Sequence, residues 1–191
     1  ERVLDLCASP GGKTTALAAA MADEGVVIAS DVRPRRIKTL TQTIATSGAR
    51  SVRVVQVPQS GSLSFTPVFD RILVDAPCSG LGTIRRDPDI RWRREENDLP
   101  ALAARQLELL RRASEALAPG GRLVYATCSS EPEENEAVVE RFLDEERAFT
   151  LLDLRRSSPI LDPLIGDRGL MRTLPFAHGL EAFFAAALVR R

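Results

Sequence analysis

Arg2-Val-Leu-Asp-Leu-Cys-Ala-Ser-Pro-Gly-Gly-Lys-Thr14 decides the fold. Residues 2–6 have the length and apolarity of a buried strand. Small and turn-forming residues follow, Ala8-Ser-Pro-Gly-Gly12, and then alanine-rich sequence over residues 14–22 that favours a helix. Two glycines in the turn let a ligand come close to the backbone. Free N–H groups at the start of the helix favour a ligand anion, a carboxylate or a phosphate. A tight turn whose glycines serve only packing explains the same pair. The sharper rival is an NTPase phosphate loop, because Gly12-Lys-Thr14 matches its end. That loop needs glycine where this chain has Cys7, and Pro10 removes a backbone donor from the cradle.

Strand and helix signals go on alternating outward from this stretch. Residues 26–30 form a second strand. Ile37, Leu40 and Ile44 then recur at helical spacing, with Gly48 as a stop. Val52, Val54, Val55 and Val57 mark a third strand, and residues 69–74 a fourth. A polar connection over 76–98 is too long to be idle in a compact domain. Leu107, Leu110, Ala113 and Leu117 define a helix that Pro119-Gly-Gly121 ends, before a fifth strand at 122–127. Ser130-Glu-Pro-Glu133 has capping-box spacing ahead of a helix carrying Val138, Val139 and Phe142. A weak strand at 150–154, a loop and a last strand at 182–189 complete the pattern. The expected fold class is α/β, a doubly wound, mostly parallel sheet with helices on both faces. The last two strands should form a hairpin that adds a C-terminal antiparallel strand. Residues 1–191 are expected to be one domain.

The chain of 191 residues is 44% hydrophobic and 27% charged, an ordinary globular composition. Its 26 basic and 26 acidic residues cancel, so net charge does not point to nucleic acid. Distribution says more, since residues 85–94 hold five arginines and the only Trp. No apolar run reaches the roughly 20 residues that span a bilayer, so no membrane partner is expected. Cys7, Cys78 and Cys128 lie far apart without Cys-x-x-Cys spacing, which argues against a zinc site or a disulfide framework. The expectation is a monomer in a reducing cytoplasm, with no metal. A start at Glu1 without Met suggests a fragment lacking an upstream region.

Two cysteines follow apolar strands, Cys78 in Val74-Asp-Ala-Pro-Cys-Ser-Gly80 and Cys128 in Val124-Tyr-Ala-Thr-Cys-Ser129. Carboxyl ends of strands line the ligand crevice of an open α/β sheet, so both thiols should face one site with Asp75. A thiolate is a strong nucleophile, and two thiols beside a carboxylate suit covalent chemistry on an electrophilic carbon. A lone cysteine after a strand is more often a small buried residue, and Cys7 fits that description. Asp31, 19 residues after Gly12, stands where an acid commonly accepts hydrogen bonds from ribose hydroxyls. An exposed Asp31 capping the helix after Pro34 is the competing account. Phe183 and Phe184 read most simply as core, and His178 as a loop residue without a catalytic role. The arginines at 85–94 suit phosphate contacts and base stacking, or else a solvated face.

Four blocks carry a family resemblance. They are Asp5-Leu-Cys-Ala-Ser-Pro-Gly-Gly-Lys-Thr14, Phe69-Asp-Arg-Ile-Leu-Val-Asp-Ala-Pro-Cys-Ser-Gly80, Arg85-Arg-Asp-Pro-Asp-Ile-Arg-Trp92, and Leu123-Val-Tyr-Ala-Thr-Cys-Ser129 with Pro132-Glu-Glu-Asn135. In this order the sequence resembles the RNA cytosine-5 methyltransferases that use S-adenosylmethionine. The arginine–Trp block is most similar to the bacterial branch acting on small-subunit ribosomal RNA. The resemblance implies a Rossmann-like class I methyltransferase domain whose substrate is an unpaired or flipped-out cytosine in RNA. It implies Cys128 as the nucleophile at carbon 6, Cys78 in product release, Asp75 on the cytosine edge, and Lys13 near the base or the cofactor. Gly11, Gly12, Asp31 and Arg36 would line the cofactor pocket, with Cys7, Ala8, Pro10, Lys13 and Asp75 in the same set. Arg85, Arg86, Arg91, Trp92 and Arg93 would meet RNA. DNA cytosine methyltransferases attack with the cysteine of a Pro-Cys block, so Cys78 stays a candidate nucleophile. The Thr127-Cys128 pair favours Cys128.

Two departures stand out. Val55-Gln-Val-Pro-Gln-Ser60 lacks the acidic residue the family places after the third strand, and Glu181-Ala182 replaces the usual Asp-Gly. The first leaves open a catalytically weak, methyltransferase-like module that binds RNA or scaffolds an assembly.

Overall fold

Apolar runs become strands and periodic segments become helices in a computed structural model that describes residues 1–156, 159–166 and 168–191. In chain order the elements are β1 (Arg2–Asp5), α1 (Gly12–Ala20), β2 (Val26–Asp31), α2 (Pro34–Ser47), β3 (Val52–Gln56) and β4 (Phe69–Asp75). There follow α3 (Ile90–Arg93), α4 (Leu99–Ala116), β5 (Leu117–Thr127), α5 (Glu136–Glu145), β6 (Phe149–Leu152), β7 (Met171–Thr173), α6 (Pro175–His178) and β8 (Phe183–Arg190). The chain divides into two compact units. One comprises Glu1–Asp75 with Arg112–Leu123, the other Ala76–Arg111 with Val124–Arg191.

In the first unit the strands run in the order β3-β2-β1-β4, with β5 next to β4. β1 is parallel to β2 and β4, and β2 is parallel to β3. Val3 lies opposite Val27 and Arg71. Neighbouring strand residues point to opposite faces, yet Val3 and Leu4 are both buried, as in a sheet covered on both sides. Val3, Val27 and Ala29 pack with Ala18 of α1, Leu40 and Ile44 of α2, and Val52. Alanines on α1 keep that helix close to the strands it covers.

In the second unit β8 lies next to β5 and pairs antiparallel with β6 and β7, Leu152 opposite Ala187 and Thr173 opposite Phe183. Its core is aromatic. Tyr125 meets Phe184 edge-on at 6.3 Å, and Phe142 meets Phe149 at 5.1 Å. The fold is therefore α/β with parallel strands and an antiparallel C-terminal strand.

Four details differ from the sequence reading. Helix α1 stops at Ala20, because Ala22 and Asp23 take positive φ and the turn brings the Asp23 carboxylate to the N–H groups of Arg50 and Ser51. β5 starts at Leu117 rather than at residue 122, and runs through Pro119-Gly-Gly121 with Gly120 at φ +75°. The capping box at Ser130 does not form: α5 begins at Glu136, and residues 132–135 make a turn that buries Glu134 and Asn135. The last two strands are not a simple hairpin, since β7 and α6 lie between β6 and β8. Of the loop expected there, residues 157, 158 and 167 lie outside the described residues.

Candidate active site

β1 and β4 are parallel neighbours, so their carboxyl ends bring Asp5 and Asp75 to the turn that opens α1. Lys13, in the first turn of α1, reaches Asp75 with Nζ 2.6 Å from Oδ2, and both side chains remain partly exposed. Asp5 is fully buried and accepts a 2.7 Å hydrogen bond from the Thr14 hydroxyl, while its Oδ1 has no hydrogen-bond partner. Burial pushes the Asp5 carboxyl up to about 6; the charges of Asp75 and Asp31 add to this, and the Thr14 bond and Lys13 oppose it.

Asp31 ends β2 and is 4% exposed, not the exposed cap of the competing account. Its Oδ1 accepts from the N–H groups of Val32 (2.8 Å) and Arg33 (3.2 Å). Its Oδ2 has no hydrogen-bond partner, and Arg36 Nη1 stands 3.6 Å away. Pro10 follows a cis peptide bond, and Ala8 is buried, its N–H donating to Ser30 O. Cys7 is half-buried rather than sealed in the core. A Cβ built on Gly12 would meet no protein atom within 4 Å, so the turn presents open backbone beside the helix start. Open backbone at a helix N-terminus and an unsatisfied buried carboxylate oxygen fit an anionic tail and a ribose hydroxyl. After β3, the Gln56 amide donates to Val32 O, and the buried Arg112 guanidinium donates to Pro58 O (2.7 Å) and Gln59 O (3.3 Å).

In the second unit the two Cys-Ser dipeptides lie side by side. Cys78 Sγ and Cys128 Sγ are 3.3 Å apart, and the hydroxyls of Ser79 and Ser129 are 3.2 Å apart. The Cys78 thiol is held far above the ordinary thiol range, by its hydrogen bond with Cys128, by burial, and by negative charge on Cys128. Two thiols this close disfavour a second negative charge beside the first. Tyr125 is raised as well, chiefly by burial, and its hydroxyl donates to Glu134 O.

Sequence reasoning passed over the residues that hold these loops. Glu134 Oε1 accepts from Ser79 N–H and the Gln106 amide, each at 2.8 Å, and Oε2 accepts from the Ser129 hydroxyl at 2.6 Å. Asn135 accepts from the Thr127 hydroxyl and donates to Ser129 O, fixing the chain on both sides of Cys128. Gly82 N–H donates to Cys128 O, and Arg94 Nε to Ser79 O. The only hint was the block Pro132-Glu-Glu-Asn135, whose last two residues, Glu134 and Asn135, turn inward.

The basic loop divides into paired and unpaired arginines. Arg93 meets Asp87 (3.0 Å) and Asp89 (3.7 Å), and Arg86 meets Glu181 (3.5 Å). Arg85 and Arg91 form no ion pair among the described residues. Arg91 lies over the ring of Trp92, its Cζ 4.9 Å from the centroid, and Trp92 is 78% exposed. A cavity of about 520 Å³ is lined by Arg85, Arg86, Thr173, Leu180, Glu181 and Phe183. Phe184 is core as expected, but Phe183 is only partly buried and faces this cavity. His178 Nδ1 accepts from Leu174 N–H at the start of α6. Among the described residues no group of three or more His, Cys, Asp or Glu side chains could hold a metal ion.

Known proteins resemble this chain over nearly its whole length. It is 37% identical over 190 residues to the probable ribosomal RNA small subunit methyltransferase B of Synechocystis, covering 98% of this chain and 43% of that protein. To ribosomal RNA small subunit methyltransferase F of Escherichia coli it is 39% identical over 193 residues, covering 98% and 40%. The crystal structure of NSun6 from Pyrococcus horikoshii with SFG superposes with a TM-score of 0.84 at 29% identity, over the whole of this chain and 49% of that one. The chain thus spans less than half the length of each. Residues 1–189 match the family described as 16S rRNA methyltransferase RsmB/F, and the chain belongs to that family.

Proposed function

We propose that residues 1–191 act as one catalytic domain of a larger enzyme that transfers a methyl group from S-adenosylmethionine to carbon 5 of a cytosine in small-subunit ribosomal RNA. The observation that carries this reading is the thiol pair, Cys78 Sγ and Cys128 Sγ 3.3 Å apart. Two thiols in such contact can divide the work, one sulfur attacking and the other donating a hydrogen bond to it. In support stand the family and the names of its members.

Carbon 5 of cytosine is a poor nucleophile. Cys128 thiolate forms a bond to carbon 6, and the ring electrons displaced from the 5,6 double bond make carbon 5 enamine-like. Asp75, its charge balanced by Lys13, holds the N3/N4 edge and stabilises the ring as charge develops. When bound, S-adenosylmethionine supplies an electrophilic methyl on sulfur; Gly11, Gly12, Asp31 and Arg36 hold it, with Cys7, Ala8, Pro10 and Lys13 beside them. After transfer, carbon 5 loses its proton to a base, the double bond re-forms, and the Cys128–carbon 6 bond breaks. The Cys78 S–H donates to the departing Cys128 sulfur and stabilises it as a leaving group. Arg85, Arg86, Arg91, Trp92 and Arg93 serve RNA phosphates and bases. The same reading makes the enzyme a monomer in the cytoplasm. Separately, no helix among the described residues is long and apolar enough to cross a membrane.

Cys128→Ala should abolish methyl transfer, and Cys78→Ala should leave RNA covalently attached, visible on a denaturing gel. An adduct in Cys128→Ala and none in Cys78→Ala would reverse the two roles. Isothermal titration with S-adenosylmethionine separates an enzyme from a scaffold, which gives no specific heat.

A further inference from the structure

Glu134 has no place in the chemistry above, yet it is fully buried and touches both cysteine loops. The N–H it accepts at Oε1 belongs to Ser79, so it lies in the peptide plane of Cys78. The hydroxyl it accepts at Oε2 belongs to Ser129, the residue after Cys128. Gln106, on α4, donates to the same Oε1 and to Pro77 O, which braces the carboxylate and the Pro-Cys loop together. Residues 78 and 128 are 50 positions apart in sequence, and one carboxylate ties their loops to each other. Three donors converge on this buried side chain, and its removal leaves the Ser79 N–H without its acceptor.

We propose that Glu134 is a positioning residue that sets the distance and orientation between the Cys78 and Cys128 thiols by clamping the two loops that carry them. The claim rests on the reading of Cys128 as nucleophile and Cys78 as its partner in release, but the thiol distance can be tested without it. A clamp that loosens by about 1 Å is expected to slow reaction about 100-fold. Its failure should show in turnover, not in binding of the cofactor, whose residues lie in the other unit.

Two readouts decide. The first is cross-linking of Cys78 to Cys128 by a short dithiol reagent such as dibromobimane, with the joined peptides quantified by mass spectrometry. Glu134→Ala should form this cross-link more slowly than wild type while S-adenosylmethionine titration and thermal melting report a folded protein. The second is turnover. Glu134→Ala should lower kcat about 100-fold with the KM for S-adenosylmethionine unchanged, and should slow RNA adduct formation equally in a Cys78→Ala background. Glu134→Gln should rescue most of both, because its amide oxygen can still accept from Ser79 and Gln106. The Ser129 hydroxyl need only rotate to accept from the amide nitrogen. Cross-linking at the wild-type rate and wild-type kcat in Glu134→Ala would overturn the proposal, as would a matching rise in cofactor KM. Should Glu134→Ala not fold, Ser129→Ala removes the arm to the Cys128 loop alone, and a normal cross-link and kcat there overturns it equally. If the Cys78→Ala protein with intact Glu134 forms no adduct, the catalytic reading fails, and the cross-link still judges the clamp by itself.

Discussion

Gly11 and Gly12 are neighbours with different constraints. Gly11 sits at φ +118°, and a Cβ there would lie 3.0 Å from Thr43 Cγ2 and 3.1 Å from Leu40 Cδ1. Both the backbone conformation and the packing against α2 therefore require glycine. Gly12 has no left-handed φ and open space around it, so nothing in the fold requires glycine there, and on the proposed function the space belongs to the cofactor. Gly11→Ala should lower stability by about 1–3 kcal/mol in urea unfolding. Gly12→Ala should unfold like wild type yet bind S-adenosylmethionine about tenfold more weakly by titration, about 1.4 kcal/mol. Equal affinity in Gly12→Ala would reduce the second glycine to an accident of the turn. The glycine pair, Asp31, Asp75 and both cysteines were legible because strand ends and turns announce themselves locally. Glu134 was not, since its partners Ser79 and Gln106 are 55 and 28 residues away, and no local pattern encodes such a meeting.

At the scale of the element, the connection from β4 to α4 is built of short turns, with α3 at its centre. Its charge was legible and its pairing was not. Arg93 is engaged with two aspartates, whereas Arg91 extends its guanidinium over an exposed Trp. Arg91→Ala should therefore weaken binding to single-stranded RNA and reduce the slope of log K against log salt by about 0.7, the value for one lost phosphate contact. Arg93→Ala should change that slope less, because its charge is already offset by Asp87 and Asp89. Equal slopes for both variants and wild type would make this loop a solvated face. The misread boundaries have a common origin. Pro119-Gly-Gly121 is a stop signal by composition, but β5 runs through it with Gly120 at positive φ, and Ser130 has the spacing of a cap while the turn after it is committed to burying Glu134 and Asn135.

For the whole molecule, alternation of strand and helix was enough to predict parallel pairing in the first unit, because a crossover helix returns the chain in the same direction. The place of β8 between β5 and β6 was not predictable, since neighbours in a sheet are not marked in a strand's own residues. Folding stability against pH is where the first unit's buried carboxylate becomes measurable. Asp5 ionises at 3.8 when unconstrained and at about 6 in the fold, mainly through burial. The folded chain thus holds a proton that the unfolded chain has lost over this window, and stability falls as pH rises through it. Glu145, lowered by its hydrogen bond from Arg111, and Asp23, lowered first by Ser51, act in the opposite sense and only as pH falls below the ordinary carboxylate range. Between pH 4.5 and 7 the Asp5 contribution should remove about 2 kcal/mol. Asp5→Asn cannot ionise, and its side-chain oxygen can still accept from Thr14, so urea unfolding of this variant should lose that descending limb. The variant should gain on wild type as pH rises from 4.5 to 7. Parallel stability curves for the two proteins would mean that Asp5 is ionised in the fold at both pH values, with its second oxygen reached by water.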